Sequence, residues 1–404
     1  MSENKKLIPK RRFKAFQNTD AWKQRELGEV AIINPQATLP DVFEYVDLES
    51  VVGTEMISYR TEEKSTAPSR AQRLAKQGDI FYQTVRPYQK NNYLFDKSDN
   101  DFVFSTGYAQ LRPNINSDFL MSYIQDERFV LTVLSNCTGT SYPAISPSSL
   151  SKIMINVPKS TDEQEKVGTF FTTLDQTIAF QQRKLEKMKS MKSAYLSEMF
   201  PAEGERKPKR RFPGFTDDWE QRELGEEVEF FSGLTYSPSN VVMENGTLVL
   251  RSSNVKNGEI VKGDNVFVND GAVNSENVKV GDIIVVVRNG SRNLIGKHAQ
   301  VKEDMDKTVI GAFMTGVRAE QSSFINALLD TKRFEFEIAQ NLGATINQIT
   351  TGSFKKMRFM FPKNDEQNQI GQFFTHLDQT IAFQQQKLEK LQNIKKAYLN
   401  EMFI

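Results

Sequence analysis

The sequence predicts a mixed α/β protein in which two globular domains are separated by two long helices that form an antiparallel coiled coil. Three observations lead to this fold class. The chain has 404 residues, enough for two or three domains. One long proline-free stretch in the middle recurs almost unchanged at the end. The two segments outside these copies carry short β-rich runs and differ from each other. The order is therefore a circular, pseudo-twofold repeat.

The repeat is read directly from the residues. Residues 162–200 and 365–403 are identical at 27 of 39 positions without a gap, and residues 11–29 share a second motif with residues 210–226. The short N-terminal copy is expected to complete the surroundings of the C-terminal helix. The predicted organisation is a basic segment 1–21, a variable domain 22–161, a helix 162–200, a linker 201–218, a variable domain 219–364 and a helix 365–404.

The repeated stretches are predicted to be helices because apolar residues recur every seven positions, which is typical of a coiled coil. If the variable domains lie at opposite ends, the helices must run antiparallel. The predicted seam consists of Leu174, Ile178, Gln181 and Leu185 with their copies Leu377, Ile381, Gln384 and Leu388. The seam glutamines either fix the register of the pair or lie at a solvated edge. Asp162 and Asp365 are expected to cap the two helices.

The variable domains are predicted to mix strands and helices. β-rich runs occupy residues 246–251, 282–288 and 357–361, and helical patterns cover residues 118–135 and 322–340. Weak echoes link the two domains. Gly78, Asp79 and Ile80 correspond to Gly281, Asp282 and Ile283, and an arginine follows each group within a few residues.

Composition excludes several functions. The single cysteine, Cys137, permits neither an intramolecular disulfide nor a multi-thiolate metal site. Two histidines, His298 and His376, are too few for His-rich metal chemistry or for a well-supported catalytic triad. No apolar run reaches the ~20 residues of a membrane span, and the basic N-terminus lacks the apolar core of a secretory signal. We therefore expect a cytoplasmic protein with no membrane contact.

Catalytic and cofactor motifs are not found. Residues 290–298 come close to a phosphate-binding loop, but the spacing is one residue too long and His298 replaces the required Ser or Thr. No glycine-rich nucleotide loop and no two-metal carboxylate cluster is recognisable. The sequence therefore predicts no cofactor in this chain and no bond chemistry by this chain alone.

Two recognition-sized domains on a rigid helical spacer are suited to reading two separated stretches of double-stranded DNA. The net charge of +1 argues against a non-specific polyanion binder, so local loops rich in Arg, Asn, Gln, Ser and Thr would make the contacts. Polar loops of this kind are also how ordinary exposed turns look. The basic stretches 5–14 and 206–211 either touch phosphate or are solvated. The predicted DNA-binding residues are Arg86, Tyr88, Lys90, Asn91, Thr140, Ser141 and Tyr142 in the first domain, and Arg288, Asn289, Ser291, Arg292, Asn293, Thr345, Asn347 and Gln348 in the second.

These features together resemble the DNA-specificity subunit of Type I restriction–modification enzymes. The resemblance rests on the circular order, the Arg-Glu-Leu-Gly motifs ending at Gly28 and Gly225, and the helices with their shared Leu-Asp-Gln-Thr-Ile sequence. It also includes the turns beginning at Gly139 and Gly343 and the Pro-Lys pairs ending at Lys159 and Lys363. The resemblance covers essentially the whole chain.

The resemblance implies that each variable domain is a target recognition domain for one half of an asymmetric, bipartite site. It implies that the helices set the spacing and bind two methyltransferase (modification) subunits, which carry S-adenosylmethionine and methylate adenine. Restriction and translocase subunits, using ATP and Mg²⁺, would complete the complex. The chain itself would be non-catalytic.

The alternative is a stand-alone architectural or regulatory DNA-binding protein with the same coiled-coil spacer. Apolar residues off the seam discriminate between the two, since they either bind partner subunits or pack on the adjoining domains. They recur in both copies as Phe170, Ala179, Phe180, Phe373, Ala382 and Phe383.

Overall fold

The computed structural model describes residues 7–99, 101–342 and 347–404. The chain divides into two compact units, the first formed by residues 1–183 and 386–404 and the second by residues 184–385. Each long helix thus contributes one end to each unit.

The first unit is built on two four-stranded sheets, ordered β6-β3-β10-β7 and β2-β11-β8-β9. Two two-stranded ribbons, β1-β12 and β4-β5, accompany them. Both faces of the central strand β8 are buried, so every one of its side chains packs in the core. The strands are β1 (Lys23–Glu26), β2 (Ala31–Ile33), β3 (Val42–Val46), β4 (Val51–Val52), β5 (Glu55–Met56), β6 (Arg60–Glu63), β7 (Ala71–Leu74), β8 (Ile80–Gln83), β9 (Tyr93–Leu94), β10 (Phe102–Ser105), β11 (Tyr108–Pro113) and β12 (Met154–Val157).

The second unit has a similar architecture, with sheets ordered β14-β23-β20-β21 and β15-β19-β16-β22 and ribbons β13-β24 and β17-β18. The parallel pair β16-β22 corresponds to β3-β10, but the fourth strand differs, because β7 pairs with β10 whereas β15 pairs with β19 at the opposite edge. Its central strand β20 is buried on both faces like β8. The predicted β-rich runs are confirmed as β16, β20 and β24. The strands are β13 (Glu220–Glu223), β14 (Glu229–Ser232), β15 (Val241–Val242), β16 (Thr247–Leu250), β17 (Val255–Lys256), β18 (Glu259–Ile260), β19 (Val266–Val268), β20 (Ile283–Val286), β21 (His298–Gln300), β22 (Thr308–Ile310), β23 (Met314–Arg318) and β24 (Arg358–Phe361).

The predicted helical stretches near the end of each variable domain are each divided into two helices. Side chains cap the second helix of each pair, because Asp126 accepts a hydrogen bond from the backbone of Arg128 and Thr331 accepts one from Phe334. The helices are α1 (Leu27–Val30), α2 (Ser117–Ile124), α3 (Glu127–Ser135), α4 (Pro147–Ser151), α5 (Thr161–Met199), α6 (Leu224–Glu227), α7 (Ser322–Leu329), α8 (Lys332–Asn341), α9 (Thr351–Lys355) and α10 (Asn364–Met402).

The long helices α5 and α10 run antiparallel wherever they meet within a unit. In the first unit, Asp175 pairs with Lys395 at 2.5 Å and the ring of Phe170 meets Tyr398. In the second unit, Lys192 pairs with Asp378 and Tyr195 meets Phe373. Residue numbers rise along one helix as they fall along the other, so the predicted antiparallel order is confirmed inside each unit.

Each long helix contains one glycine where another helix crosses closely. A Cβ added at Gly168 would lie 2.6 Å from the backbone nitrogen of Phe119, and one added at Gly371 would lie 2.7 Å from that of Phe324. The missing side chains let the N-termini of α2 and α7 pack against the long helices.

The start of each repeat is anchored in its unit by buried charges. Arg12 forms an ion pair with Glu163 at 2.6 Å, and Trp22 donates a hydrogen bond to the same carboxylate. Arg211 pairs equivalently with Glu366 at 2.6 Å. These arginines of the two basic stretches are therefore occupied inside the protein.

The ring of Trp22 packs on Phe403, so the N-terminal copy does complete the surroundings of the C-terminal helix.

The expectation that Asp162 caps its helix is wrong. Helix α5 begins one residue earlier, and Ser160 accepts the capping hydrogen bond from the backbone of Glu163. Asp365 likewise lies inside the first turn of α10.

Across the described ranges, none of the helices is both long and apolar enough to cross a membrane.

Candidate nucleic-acid interface

The sequence echoes between the variable domains build the scaffold beneath the loops. Gly78 and Gly281 adopt positive φ angles before β8 and β20. The buried carboxylate of Asp79 then binds Arg112 through two hydrogen bonds of 2.8 Å, and Asp282 binds Arg318 in the same way. These pairs tie each central strand to its neighbour, and they bind the guanidinium of each scaffold arginine to a carboxylate inside the protein.

In the first unit, the loop of residues 138–144 lies against the chain that leaves β8. Backbone hydrogen bonds between Thr138 and Ala144 close this loop, and Gly139 supports its turn with φ +85°. Arg86 donates its backbone N–H to the carbonyl of Pro143 at 2.8 Å, and its guanidinium carbon lies 4.4 Å from the ring centre of Tyr142.

Most of the predicted first-domain residues share this surface. Tyr142 is 63% exposed, and Thr140 and Ser141 are also exposed beside it. Tyr88 is half-exposed on the short 3-10 turn that follows Arg86. The surface thus offers one guanidinium, hydroxyl groups and two aromatic faces, which are the groups that bind base edges and bases.

Lys90 and Asn91 are held by partners within the unit. The ammonium of Lys90 lies 2.5 Å from the carboxylate of Glu127 and donates a hydrogen bond to the carbonyl of Gln125. The side-chain oxygen of Asn91 accepts a hydrogen bond from the backbone of Gly53 at 2.8 Å. In this arrangement both residues shape the loop after β8.

In the second unit, the chain that leaves β20 pairs with the segment around Gln348. Arg288 and Gln348 form an antiparallel bridge, and Asn289 donates its backbone N–H to the carbonyl of Asn347. The side chain of Asn347 donates in turn to the carbonyl of Gly290. These bonds bring together the two predicted loops of this domain. Thr345 lies outside the described residues.

The polar side chains of this second surface differ in how they are used. The side chain of Asn289 bonds to Ser252 and to the backbone of Ser291, so it braces the loop. Ser291, Arg292 and Asn293 are exposed at the start of a 3-10 turn. Arg288 is exposed, and its guanidinium lies over the ring of Phe313 at 4.9 Å.

Phe313 is the residue of this surface that sequence reasoning missed. It is 52% exposed in the turn between β22 and β23. An isolated phenylalanine next to a strand reads as a core residue, and only its three-dimensional contact with Arg288 indicates otherwise.

The second unit also contains a charged network around Lys192 and Asp330. Asp330 lies 2.6 Å from Lys192 and 3.4 Å from His298, and Lys192 also pairs with Asp378 at 2.6 Å. Burial acts to raise the pKa of Asp330, but the hydrogen bond from His298 and the charges of His298 and Lys192 lower that pKa to about 2. Burial raises the pKa of Asp378 despite its contact with Lys192.

A cavity of about 580 Å³ adjoins this network. Its lining includes the polar residues Arg292, Lys297 and His298 and the apolar residues Phe334 and Ile338. Among the described residues, no group of three or more His, Cys, Asp or Glu side chains is arranged to hold a metal ion.

All eight predicted seam residues are buried or half-buried. Leu185 and Leu388 are almost completely buried, and Gln181 and Gln384 are buried to the same degree as each other. Leu174, Ile178, Leu377 and Ile381 are half-buried.

The repeated apolar residues off the seam fall into two groups. Phe170 packs on Phe13 and Tyr398 in the first unit, and Phe373 packs on its counterparts in the second, so these rings belong to the interior. In contrast, Phe180 is 58% exposed and Phe383 is 62% exposed. Ala179 and Ala382 beside them are half-buried.

Comparison with known protein families gives a match over most of the chain. The Type I restriction modification DNA specificity domain matches twice, over residues 19–190 and residues 216–393. The two matches follow the internal repeat and bear out the family resemblance seen in the sequence.

Curated relatives share part of the chain. The Type I restriction enzyme HindI specificity subunit of Haemophilus influenzae is 25% identical over 167 residues, which are 39% of this chain and 36% of that protein. The Type I restriction enzyme StySPI specificity subunit of Salmonella potsdam is 24% identical over 190 residues, 45% of this chain and 41% of that protein. The matches therefore span less than half of either relative.

One solved structure resembles the chain over almost its full length. The crystal structure of a Type-I restriction-modification system S subunit from M. genitalium covers 98% of this chain and 99% of that one, with a TM-score of 0.65 and 15% identity. This likeness in fold confirms the predicted fold class.

Proposed function

The chain belongs to the Type I restriction modification DNA specificity family, and we propose that it is the specificity subunit of such a complex. Its first unit reads one half of a bipartite DNA site and its second unit reads the other. The chain carries out no bond chemistry. Bound methyltransferase subunits supply S-adenosylmethionine and methylate adenine, and restriction subunits use ATP and Mg²⁺.

The observation that carries this proposal is that one scaffold presents two different loops. Both units fix their central strand through an Asp–Arg pair, and both bring a second loop against the chain that leaves this strand. The side chains offered there differ, with Arg86 and Tyr142 in one unit and Arg288 and Phe313 in the other. A common scaffold with divergent reading residues supports an asymmetric target rather than a palindrome.

The exposed phenylalanines support two equivalent protein partners. Phe180 and Phe383 occupy the same position of the repeat, and large apolar side chains exposed on polar helices are typical of protein interfaces. Each modification subunit is therefore assigned one of these rings. A stand-alone DNA-binding protein gains nothing from keeping both rings exposed.

The function is tested by expressing the chain with adenine methyltransferase subunits from the same source and mapping methylated adenines on the host DNA. We expect methylation at an asymmetric, gapped motif that disappears when this chain is omitted. If the chain binds DNA but leaves methylation unchanged, the architectural alternative is correct and the proposal fails.

The docking surface is tested by the stoichiometry of the purified complex in native mass spectrometry. Phe180→Ala and Phe383→Ala should each reduce the complex from two modification subunits to one, and the double variant should bind neither firmly. Ile32→Ala is the matched control, because Ile32 is 59% exposed but its counterpart in the second unit is the charged residue Glu229. Two bound subunits in the double variant would contradict this assignment.

A further inference from the structure

Each unit carries an arginine stacked on an exposed aromatic ring just beyond its central strand. Arg86 stacks on Tyr142 at 4.4 Å and Arg288 stacks on Phe313 at 4.9 Å. Stacking holds a guanidinium over the ring face while the N–H groups at its edge stay free to donate. Among the predicted DNA-binding residues that the structure describes, these two arginines combine a fixed position with unused donors.

The donors are free because neither guanidinium has an acidic partner. Throughout residues 7–99, 101–342 and 347–404, no carboxylate pairs with Arg86 or Arg288 and no side-chain hydrogen bond occupies their nitrogens. Arg112 and Arg318, by contrast, are each bound to a buried aspartate. An arginine with five unused donors is suited to an acceptor outside the protein.

The two arginines do not hold equivalent places in the backbone. Val85 bridges to Ala144 in the first unit as Arg288 bridges to Gln348 in the second. The next residue in each unit makes an equivalent backbone hydrogen bond. In the first unit the N–H of Arg86 donates to the carbonyl of Pro143, and in the second unit the N–H of Asn289 donates to the carbonyl of Asn347. Arg86 therefore corresponds to Asn289, whereas Arg288 corresponds to Val85. The two arginine side chains are therefore attached at adjacent, not equivalent, positions of the shared scaffold.

The aromatic rings that support the two arginines also come from non-equivalent positions. The carbonyl of Phe313 accepts a hydrogen bond from the backbone N–H of Val287. In the first unit the equivalent hydrogen bond runs from Thr84 to the carbonyl of Gly107, so Gly107 is the counterpart of Phe313. The first unit therefore has no ring at that place and takes one from the loop of residues 138–144 instead. Two different loops thus provide an aromatic ring beneath an arginine. A contact with a merely structural role would not require this arrangement in both units.

The backbone of Arg86 has a conformation that is unfavourable for any residue other than glycine. Its φ of 55° and ψ of 54° lie in the left-handed region, where glycine is the residue without strain. Strain of this kind persists where the surrounding structure enforces it and is concentrated at functional sites. An arginine at this position therefore costs stability relative to glycine.

We propose that Arg86 and Arg288 each read one guanine, by paired hydrogen bonds to its N7 and O6 atoms, with Tyr142 and Phe313 as positioning residues. This inference rests on the proposed function and assigns one arginine to each half-site. Because the arginines leave non-equivalent backbone positions, the two guanines lie at different places relative to the common scaffold of the units.

The test uses the full chain in complex with its methyltransferase subunits. Methylation and binding are measured on a library in which each base of the mapped motif is varied, for Arg86→Lys and Arg288→Lys. Each variant should lose about 10- to 100-fold of discrimination at one G·C position, in one half-site only. Tyr142→Leu and Phe313→Leu should reduce discrimination at the same position as their arginine, and by less.

Arg60→Lys is the matched control. Arg60 also stacks on a ring, that of Tyr45 at 4.7 Å, but Asp47 and Glu62 neutralise it. It should leave every base preference unchanged.

The inference is overturned if Arg86→Lys and Arg288→Lys keep the full preference at every position. It is also overturned if they weaken binding equally for all sequences and reduce the salt dependence, since that behaviour indicates phosphate contacts. A wild-type complex without any sequence preference would instead refute the proposed function, so the two failures are distinguishable.

Discussion

Glu163 is expected to stabilise the first unit far more than an ordinary glutamate. Its side chain is 2% exposed and binds Arg12, whose side chain is 5% exposed. In the Glu163→Gln variant the guanidinium stays buried without its counter-charge, which typically costs about 3–5 kcal/mol. With a urea dependence of about 3 kcal/mol per molar, the unfolding midpoint of the first unit should fall by about 1 to 1.7 M. Glu366→Gln should cost the second unit less, because Arg211 is 14% exposed.

The two tryptophans allow each unit to be followed separately. Trp22 is buried in the first unit and Trp219 in the second. In a Trp219→Phe background, fluorescence reports the first unit alone. This substitution breaks no hydrogen bond, since the indole N–H of Trp219 has no partner in the described part of the chain.

Glu165→Gln serves as the control, because Glu165 is exposed on the same helical turn. Equal midpoints for Glu163→Gln and this control, measured through Trp22, would refute the reasoning.

Three further predictions follow from the helices and the charged network. Asp330→Asn should lower the free energy of unfolding by about 2 kcal/mol at pH 7, since the depressed pKa stabilises the fold above pH 4 and this contribution fades as the pH falls toward 2. Urea titrations at pH 7 and pH 3, with Asp304→Asn as control, should show the difference shrinking. Gly168→Ala should lower the melting temperature although alanine is the better helix former, because the added Cβ meets Phe119; an unchanged or raised value would contradict this close crossing. Deleting one heptad from each helix, residues 181–187 and 384–390, should shorten the unspecified gap of the methylated motif by up to about three base pairs, and an unchanged gap would exclude the spacer role.

The helical half of the fold could be predicted in detail because it obeys a local rule. A seven-residue apolar period fixes a helix and its seam, and the structure begins and ends α5 and α10 within two residues of the predicted bounds. The direction of packing followed from the circular repeat. The break between α2 and α3 was missed because the cap at Asp126 competes with an otherwise continuous helical pattern.

The candidate interface could be predicted only in part. Polar loops identified Arg86 and Arg288, but sequence alone could not tell a free side chain from one bound internally. Lys90, for example, pairs with Glu127, which is 37 residues away in the sequence, so no local pattern indicates this contact. Phe313 was missed because exposure of an aromatic residue is decided by tertiary packing. The hydrogen-bond partners place Arg288 one backbone position earlier than Arg86, in agreement with the spacing of the two arginines from Gly78 and Gly281.

The central claim is that each unit independently reads one half of the DNA site. The most direct measurement exchanges residues 219–364 for the corresponding segment of another family member, and then maps methylated adenines in cells that also express the methyltransferase subunits. The account predicts that one half of the gapped motif changes while the other half keeps its sequence. Loss of both half-sites together, in a complex that still methylates DNA, would contradict it.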